Sequence, residues 1–80
     1  MYTTSWCPYC EQARQLLRRK GVTFEDIDVE ASPGKRGEMQ VRSGRRSVPQ
    51  IFVGSTHVGG CDDLHDLEAS GGLDPLLASS

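Results

Sequence analysis

The sequence predicts a small α/β domain whose elements run β-α-β-α-β-β-α, with helices on the faces of a mixed sheet. Three observations predict it. An apolar stripe at helical spacing (Ala13, Leu16, Leu17) follows Pro8. Two strand-like stretches, 23–29 and 49–53, flank a weaker helical segment. Gly54-Ser55 then turns the chain into a short fourth strand. Eighty residues suffice for one domain with a thin core, so residues 1–80 are expected to form a single unit.

Met1-Tyr2-Thr3-Thr4 reads as the end of a first strand, and Ser5-Trp6 as the approach to a helix from Pro8 to Lys20. Arg14, Arg18, Arg19 and Lys20 read as its polar face, mostly near the C-terminal end where the helix dipole favours cations. Gly21 stops it. Thr23 to Val29 reads as a second strand, and its Glu25, Asp26 and Asp28 suit a sheet edge. Ser32-Pro33-Gly34 breaks the chain before a helix over about 35–43, ended by Gly44. Ile51-Phe52-Val53 is the longest fully apolar run and predicts a strand buried on both faces, within 49–53. Thr56 to Val58 pairs back as a hairpin. After Gly59-Gly60, Asp62 and Asp63 suit the first turn of a helix carrying Leu64 and Leu67. Leu73, Leu76 and Leu77 form a last stripe able to dock as a short helix. Leu16, Leu17, Leu64 and Leu67 are the expected core.

Chemistry concentrates at Cys7-Pro8-Tyr9-Cys10. Proline is favoured at the first helical position, which puts Cys7 at the N-cap, facing unpaired amides and the positive end of the dipole. That position stabilises a thiolate. Cys10 follows within one turn, near enough to attack a disulfide made by Cys7. The pair reads as nucleophile and resolving thiol. Half of a zinc site is the competing reading. Only Cys61, His57 and His65 could complete it, without the paired spacing structural zinc uses, so no metal site is expected. Cys61 reads as a small packed residue at a helix start, although that position would also favour its thiolate. His57 and His65 read as solvent-facing, and Tyr9 and Trp6 as either groove lining or ordinary packing.

Bulk properties narrow the class. A net charge of −2 indicates neither nucleic acid nor an anionic membrane as partner. No run approaches a membrane span, and no basic stretch precedes an apolar one at the N-terminus. Three cysteines, an odd number, suit a reducing compartment better than a disulfide-stapled secreted scaffold, which makes the cytoplasm the expected location.

The element order, Cys7-Pro8-Tyr9-Cys10, Ser47-Val48-Pro49 and Gly59-Gly60-Cys61-Asp62-Asp63 together resemble the glutaredoxins, more narrowly the bacterial dithiol glutaredoxin-3 type. The resemblance runs through to the Gly-Gly-Leu-Asp-Pro-Leu-Leu ending. It implies a thioredoxin fold of sheet order 2-1-3-4, a cis bond before Pro49, and glutathione-dependent reduction of mixed and protein disulfides. It further implies a glutathione site. The Val48 backbone would pair with the peptide. The Cys61 and Asp62 amides after Gly60 would receive the γ-glutamyl carboxylate, and Asp62 or Asp63 the ammonium. Arg36 would hold the glycyl carboxylate, with Tyr9 and Pro49 beside the thiols. Glutathione enters as co-substrate, with no tightly bound cofactor, and a monomer is expected. Two features depart from the pattern. Thr4 stands where many relatives have lysine, which weakens the anion site unless Arg36 or Arg46 compensates. Relatives also usually have several more residues before Tyr2, so the expectation is either a short first strand or a sequence that begins inside a longer one.

Two other functions fit the same resemblance. Some glutaredoxins carry a [2Fe–2S] cluster between two protomers through the first cysteine and glutathione; Pro8 argues against this. Others serve one protein, such as ribonucleotide reductase, as dedicated electron donor.

Overall fold

The computed structural model describes residues 1–78. The elements are β1 (Tyr2–Thr3), α1 (Pro8–Arg19), β2 (Ile27–Asp28), α2 (Lys35–Ser43), β3 (Ile51–Val53), β4 (Thr56–Gly59), α3 (Cys61–Ala69) and α4 (Leu73–Ala78). Their order is the one the sequence predicts, and the Leu73 stripe does form a helix.

β1 and β2 pair in parallel, with Tyr2 opposite Ile27 and Thr3 opposite Asp28. β2 is far shorter than the expected 23–29 because β1 offers it only two residues. β3 and β4 pair antiparallel, and a register shift lies between Ile51 and Phe52. The two ladders meet at one antiparallel bridge, where Tyr2 N–H donates to the Gln50 carbonyl (2.9 Å) and Gln50 N–H to that of Tyr2 (3.0 Å). In an antiparallel pair only alternate residues exchange such bonds, so the next exchange would fall at Thr4. The Thr4 carbonyl instead accepts from Arg14 Nη2 at 3.2 Å. The expected four-stranded sheet is therefore two two-stranded ladders joined at a single point.

Neighbouring residues on a strand face opposite ways, and the core divides accordingly. Ile51 packs with Ala13, Leu16 and Leu17 of α1, Leu64 of α3 and Leu73 of α4. Phe52 packs on the other side with Tyr2, Val29 and Met39 of α2. Tyr2 meets Phe52 edge-on at 5.9 Å, and the Arg42 guanidinium covers the Phe52 ring at 4.2 Å. The buried apolar run of β3 thus separates two helical layers. Leu67 is half-buried against the first cluster.

One reading of the helix surface is corrected. Arg14 is buried rather than part of a solvated face, because α1 leans its guanidinium under the segment leading into the cysteines. Its Nε meets Asp26 Oδ2 at 2.5 Å and its Nη2 meets Thr3 Oγ1 at 3.0 Å. Asp26, expected to guard a sheet edge, is the counter-ion of this buried cation.

Candidate active site

Cys7 is the N-cap of α1 with extended backbone (φ −83°, ψ 117°), and Pro8 starts the helix. The Cys10 N–H donates to Cys7 Sγ at 3.4 Å, satisfying a first-turn amide that has no intrahelical partner. Cys7 keeps 7% exposure while Cys10 has none. An external disulfide therefore meets Cys7 first, and Cys10 lies behind it.

Burial pushes the Cys10 thiol up to about 11, and nearby Cys7 adds to the shift, while the Thr4 backbone and Arg14 oppose it. Cys10 is consequently held as a thiol at neutral pH. Arg14 lies one turn further along α1, on the same face. Thr4 is fully buried with its hydroxyl unpartnered; the side chain standing in the usual lysine position points no charge at the thiols.

Beside Cys7 runs a groove of about 220 Å³ lined by Tyr9, Ser47, Val48, Pro49, Gly60, Cys61, Asp62 and Asp63. The Val48–Pro49 peptide bond is cis, as the resemblance implies. The Val48 carbonyl lies 3.9 Å from Cys7 Sγ. The far end of the groove is the start of α3, capped by Gly60, with Asp62 and Asp63 in the first turn. Its leading amides have no partner within the helix. Asp63 Oδ2 accepts both the Gly60 N–H and Arg45 Nη1, each at 2.9 Å. These two contacts hold the Asp63 carboxyl below the usual carboxylate range. Gly59 adopts φ +119°, and a β-carbon there would collide with the Asp63 carboxylate.

Seven of the eight lining residues are ones the resemblance marks for glutathione; the eighth, Ser47, belongs to the Ser47-Val48-Pro49 motif but has no assignment of its own. Arg36 does not line the groove. Its Nη2 lies 3.6 Å from Glu30 Oε1, and the same oxygen accepts from Trp6 Nε1 at 3.0 Å. Arg46 is exposed; the arginine that reaches the groove's edge is Arg45, through Asp63. Nothing in the sequence distinguishes these two neighbours.

Cys61 is buried at the start of α3. Burial first, then the charges of Asp62 and Cys7, raise its pKa. The histidines are half-buried rather than solvent-facing. His57 Nε2 contacts Gln50 Oε1 at 2.8 Å and its ring lies over Phe52. His65 Nδ1 reaches the Cys61 carbonyl at 2.8 Å and Cys61 Sγ at 3.4 Å. Both rings fold back because an apolar neighbour or the preceding turn offers them a partner. Among the described residues, no group of three or more His, Cys, Asp or Glu side chains is placed to hold a metal. No helix there is long and apolar enough to cross a membrane.

A reachable thiol at a helix N-cap, a second thiol behind it, and an adjoining groove ending at another helix N-terminus define a thiol–disulfide oxidoreductase. The glutaredoxin family profile matches residues 1–58. Over 77 residues the chain is 54% identical to glutaredoxin 3 of Escherichia coli K12, covering 96% of this chain and 93% of that one. It is 60% identical to the glutaredoxin of Brucella melitensis, whose solution structure matches with a TM-score of 0.82 over 95% of this chain and 83% of that one. A crystal structure of a buckwheat glutaredoxin–glutathione complex matches at 27% identity and a TM-score of 0.90, covering 98% of this chain and 74% of that one. The chain belongs to the glutaredoxin family. It has the thioredoxin-like fold of that family and is a glutathione-dependent thiol–disulfide oxidoreductase.

Proposed function

We propose that Cys7 is the nucleophile and Cys10 the resolving thiol, with glutathione seated in the groove between Val48 and the start of α3. The observation that carries this reading is the unequal burial of two thiols in one helical turn, the less buried one lying 3.9 Å from the carbonyl of Val48, which lines that groove. Cys7 thiolate attacks the glutathione sulfur of a mixed disulfide. The Cys7–glutathione bond forms, the substrate–glutathione bond breaks, and the substrate thiolate leaves and takes up a proton. A second glutathione thiolate then attacks the bound glutathione sulfur, releasing oxidised glutathione and Cys7. In the dithiol route Cys7 attacks a protein disulfide. Cys10 loses its proton and attacks the Cys7 sulfur, which expels the reduced protein and leaves Cys7–Cys10 oxidised. Burial keeps the resolving thiol largely protonated at neutral pH, which favours the glutathione route when glutathione is abundant.

Glutathione has two carboxylates and one ammonium. The Cys61 and Asp62 amides suit its γ-glutamyl carboxylate. Asp62 suits the ammonium better than Asp63, whose carboxylate already serves Gly60 and Arg45. Arg36, which stands outside the groove's lining, is the residue the resemblance assigns to the glycyl carboxylate; the Val48 backbone pairs with the cysteinyl residue, and Tyr9, Pro49 and Gly60 form the walls. The buckwheat glutathione complex supports this seating by likeness of fold. Glutathionylated proteins and protein disulfides are then the partners of a cytoplasmic monomer acting as one 80-residue unit, with no tightly bound cofactor.

A coupled assay with glutathione, glutathione reductase and NADPH tests the reading. The wild type should reduce a glutathione mixed disulfide with saturation in glutathione, and Asp62→Ala should raise the KM several-fold. A KM unchanged in Asp62→Ala removes the groove as the glutathione seat.

A further inference from the structure

Arg36 occupies an unfavourable place for a cation. It lies in the first turn of α2, beside Lys35, where the helix dipole repels positive charge. Each cation is matched by a glutamate: Lys35 by Glu38 at 3.3 Å and Arg36 by Glu30 at 3.6 Å. The Glu38 pairing is local to the helix, but Glu30 comes from the turn before it. That turn is held by Asp28, whose Oδ1 accepts the N–H groups of Glu30 (2.9 Å) and Ala31 (3.2 Å). Glu30 Oε1 also receives the Trp6 indole N–H at 3.0 Å. One carboxylate oxygen therefore joins the residue before Cys7 to the arginine proposed for the glycyl carboxylate.

We propose that Glu30 is a specificity-determining residue that competes with the glycyl carboxylate of glutathione for Arg36, and that Trp6 reports the exchange. The inference rests on the seating of glutathione given above. A carboxylate arriving at Arg36 replaces one already there, so each binding event breaks the Glu30–Arg36 contact. Both side chains are about half exposed, at 44% for Arg36 and 48% for Glu30, so the exchange needs no refolding. Exposed pairs of this kind are weak and screened by salt, which makes Glu30 a modest brake. Trp6 is the only tryptophan and is 69% exposed, so its emission follows the Glu30 carboxylate without competing signals.

The test measures the KM for glutathione in wild type, Glu30→Gln, Arg36→Ala and the double variant, together with Trp6 emission during titration with unreactive S-methylglutathione. Glu30→Gln keeps an acceptor for Trp6 and removes the charge. It should lower the KM about two- to fivefold at low salt, with a smaller change in kcat, and the gain should shrink at high salt. Arg36→Ala should raise the KM, and adding Glu30→Gln to it should change nothing further. S-methylglutathione should shift Trp6 emission in wild type and less in Arg36→Ala. An unchanged or raised KM in Glu30→Gln overturns the competition. An equal gain with and without Arg36 overturns it too, because simple repulsion of an anion would then suffice. If Arg36→Ala leaves the KM unaltered, the seating at Arg36 itself fails, and the competition falls with it.

Discussion

Arg14 and Asp26 are joined by a largely buried ion pair, Nε to Oδ2 at 2.5 Å, beneath the segment that leads into Cys7. The pair is more than a tie between α1 and the approach to β2. Thr3 donates its hydroxyl to Asp26 and accepts from Arg14, and Arg14 also holds the Thr4 carbonyl. The backbone three residues ahead of the nucleophile is thus fixed to the helix the nucleophile caps.

Removing the anion should unsettle this arrangement. Asp26→Asn leaves a guanidinium that is mostly out of water without its counter-charge. Breaking a fully buried pair costs about 3–5 kcal/mol, and the partial exposure of Asp26 reduces this to about 1–3 kcal/mol. Urea denaturation at pH 7 measures the loss. A midpoint equal to wild type would contradict the role given to the pair.

The same carboxylate gives the acid limb of stability a definite sign. Burial alone would raise the Asp26 pKa, but the Thr3 hydroxyl and Arg14 together hold it below the usual carboxylate range. A carboxyl depressed in the folded state adds stability that is fully present above its unfolded value of about 3.9 and is lost as pH falls through the folded value. Stability profiles of wild type and Asp26→Asn should therefore converge as pH falls below about 4. Parallel profiles would refute the assignment.

Cys10 should behave in the opposite sense as a nucleophile. Burial first, then Cys7, pushes its pKa up to about 11; a Cys7→Ser, Cys61→Ser background removes the second cause and keeps the burial, so its alkylation should still climb from pH 7 to 9 without levelling off. Iodoacetamide labelling followed by mass spectrometry reads this directly. A curve that bends over between pH 8 and 9 would show an ordinary thiol, with a pKa of about 8.5.

Gly59→Ala should damage the groove from a distance. The positive φ and the collision with Asp63 force either the turn or the carboxylate to move, and Asp63 caps α3 through the Gly60 N–H. A loss of about 1–3 kcal/mol in stability is expected from the strain and the lost cap, with a raised KM for glutathione. Wild-type values for both would remove the geometric constraint assigned to Gly59.

Much of this molecule is legible in its sequence. Pro8, Gly21, Gly44 and the spacing of Ala13, Leu16 and Leu17 mark α1 and α2 because helix ends and apolar stripes are local properties. The groove is legible only through the family resemblance that Ser47-Val48-Pro49 and Gly59-Gly60 carry, because composition and spacing alone do not say which turns meet beside the thiols. Ion pairing is not. Arg14 and Asp26 are twelve residues apart, and nothing in either neighbourhood tells a buried cation from a solvated one. Arg36 and Glu30 lie close in sequence, yet their pairing depends on the turn Asp28 builds. The histidines were misread for the same reason: His57 is drawn inward by Gln50 and Phe52, which the hairpin alone brings to it.

The most direct test of the central claim compares wild type, Cys7→Ser, Cys10→Ser and Cys61→Ser in the glutathione-coupled reductase assay, with a glutathione mixed disulfide and with a protein disulfide. Cys7→Ser should be inactive on both. Cys10→Ser should keep reducing the mixed disulfide but lose dithiol reduction of the protein disulfide, and Cys61→Ser should remain largely active. Appreciable turnover by Cys7→Ser would contradict the account.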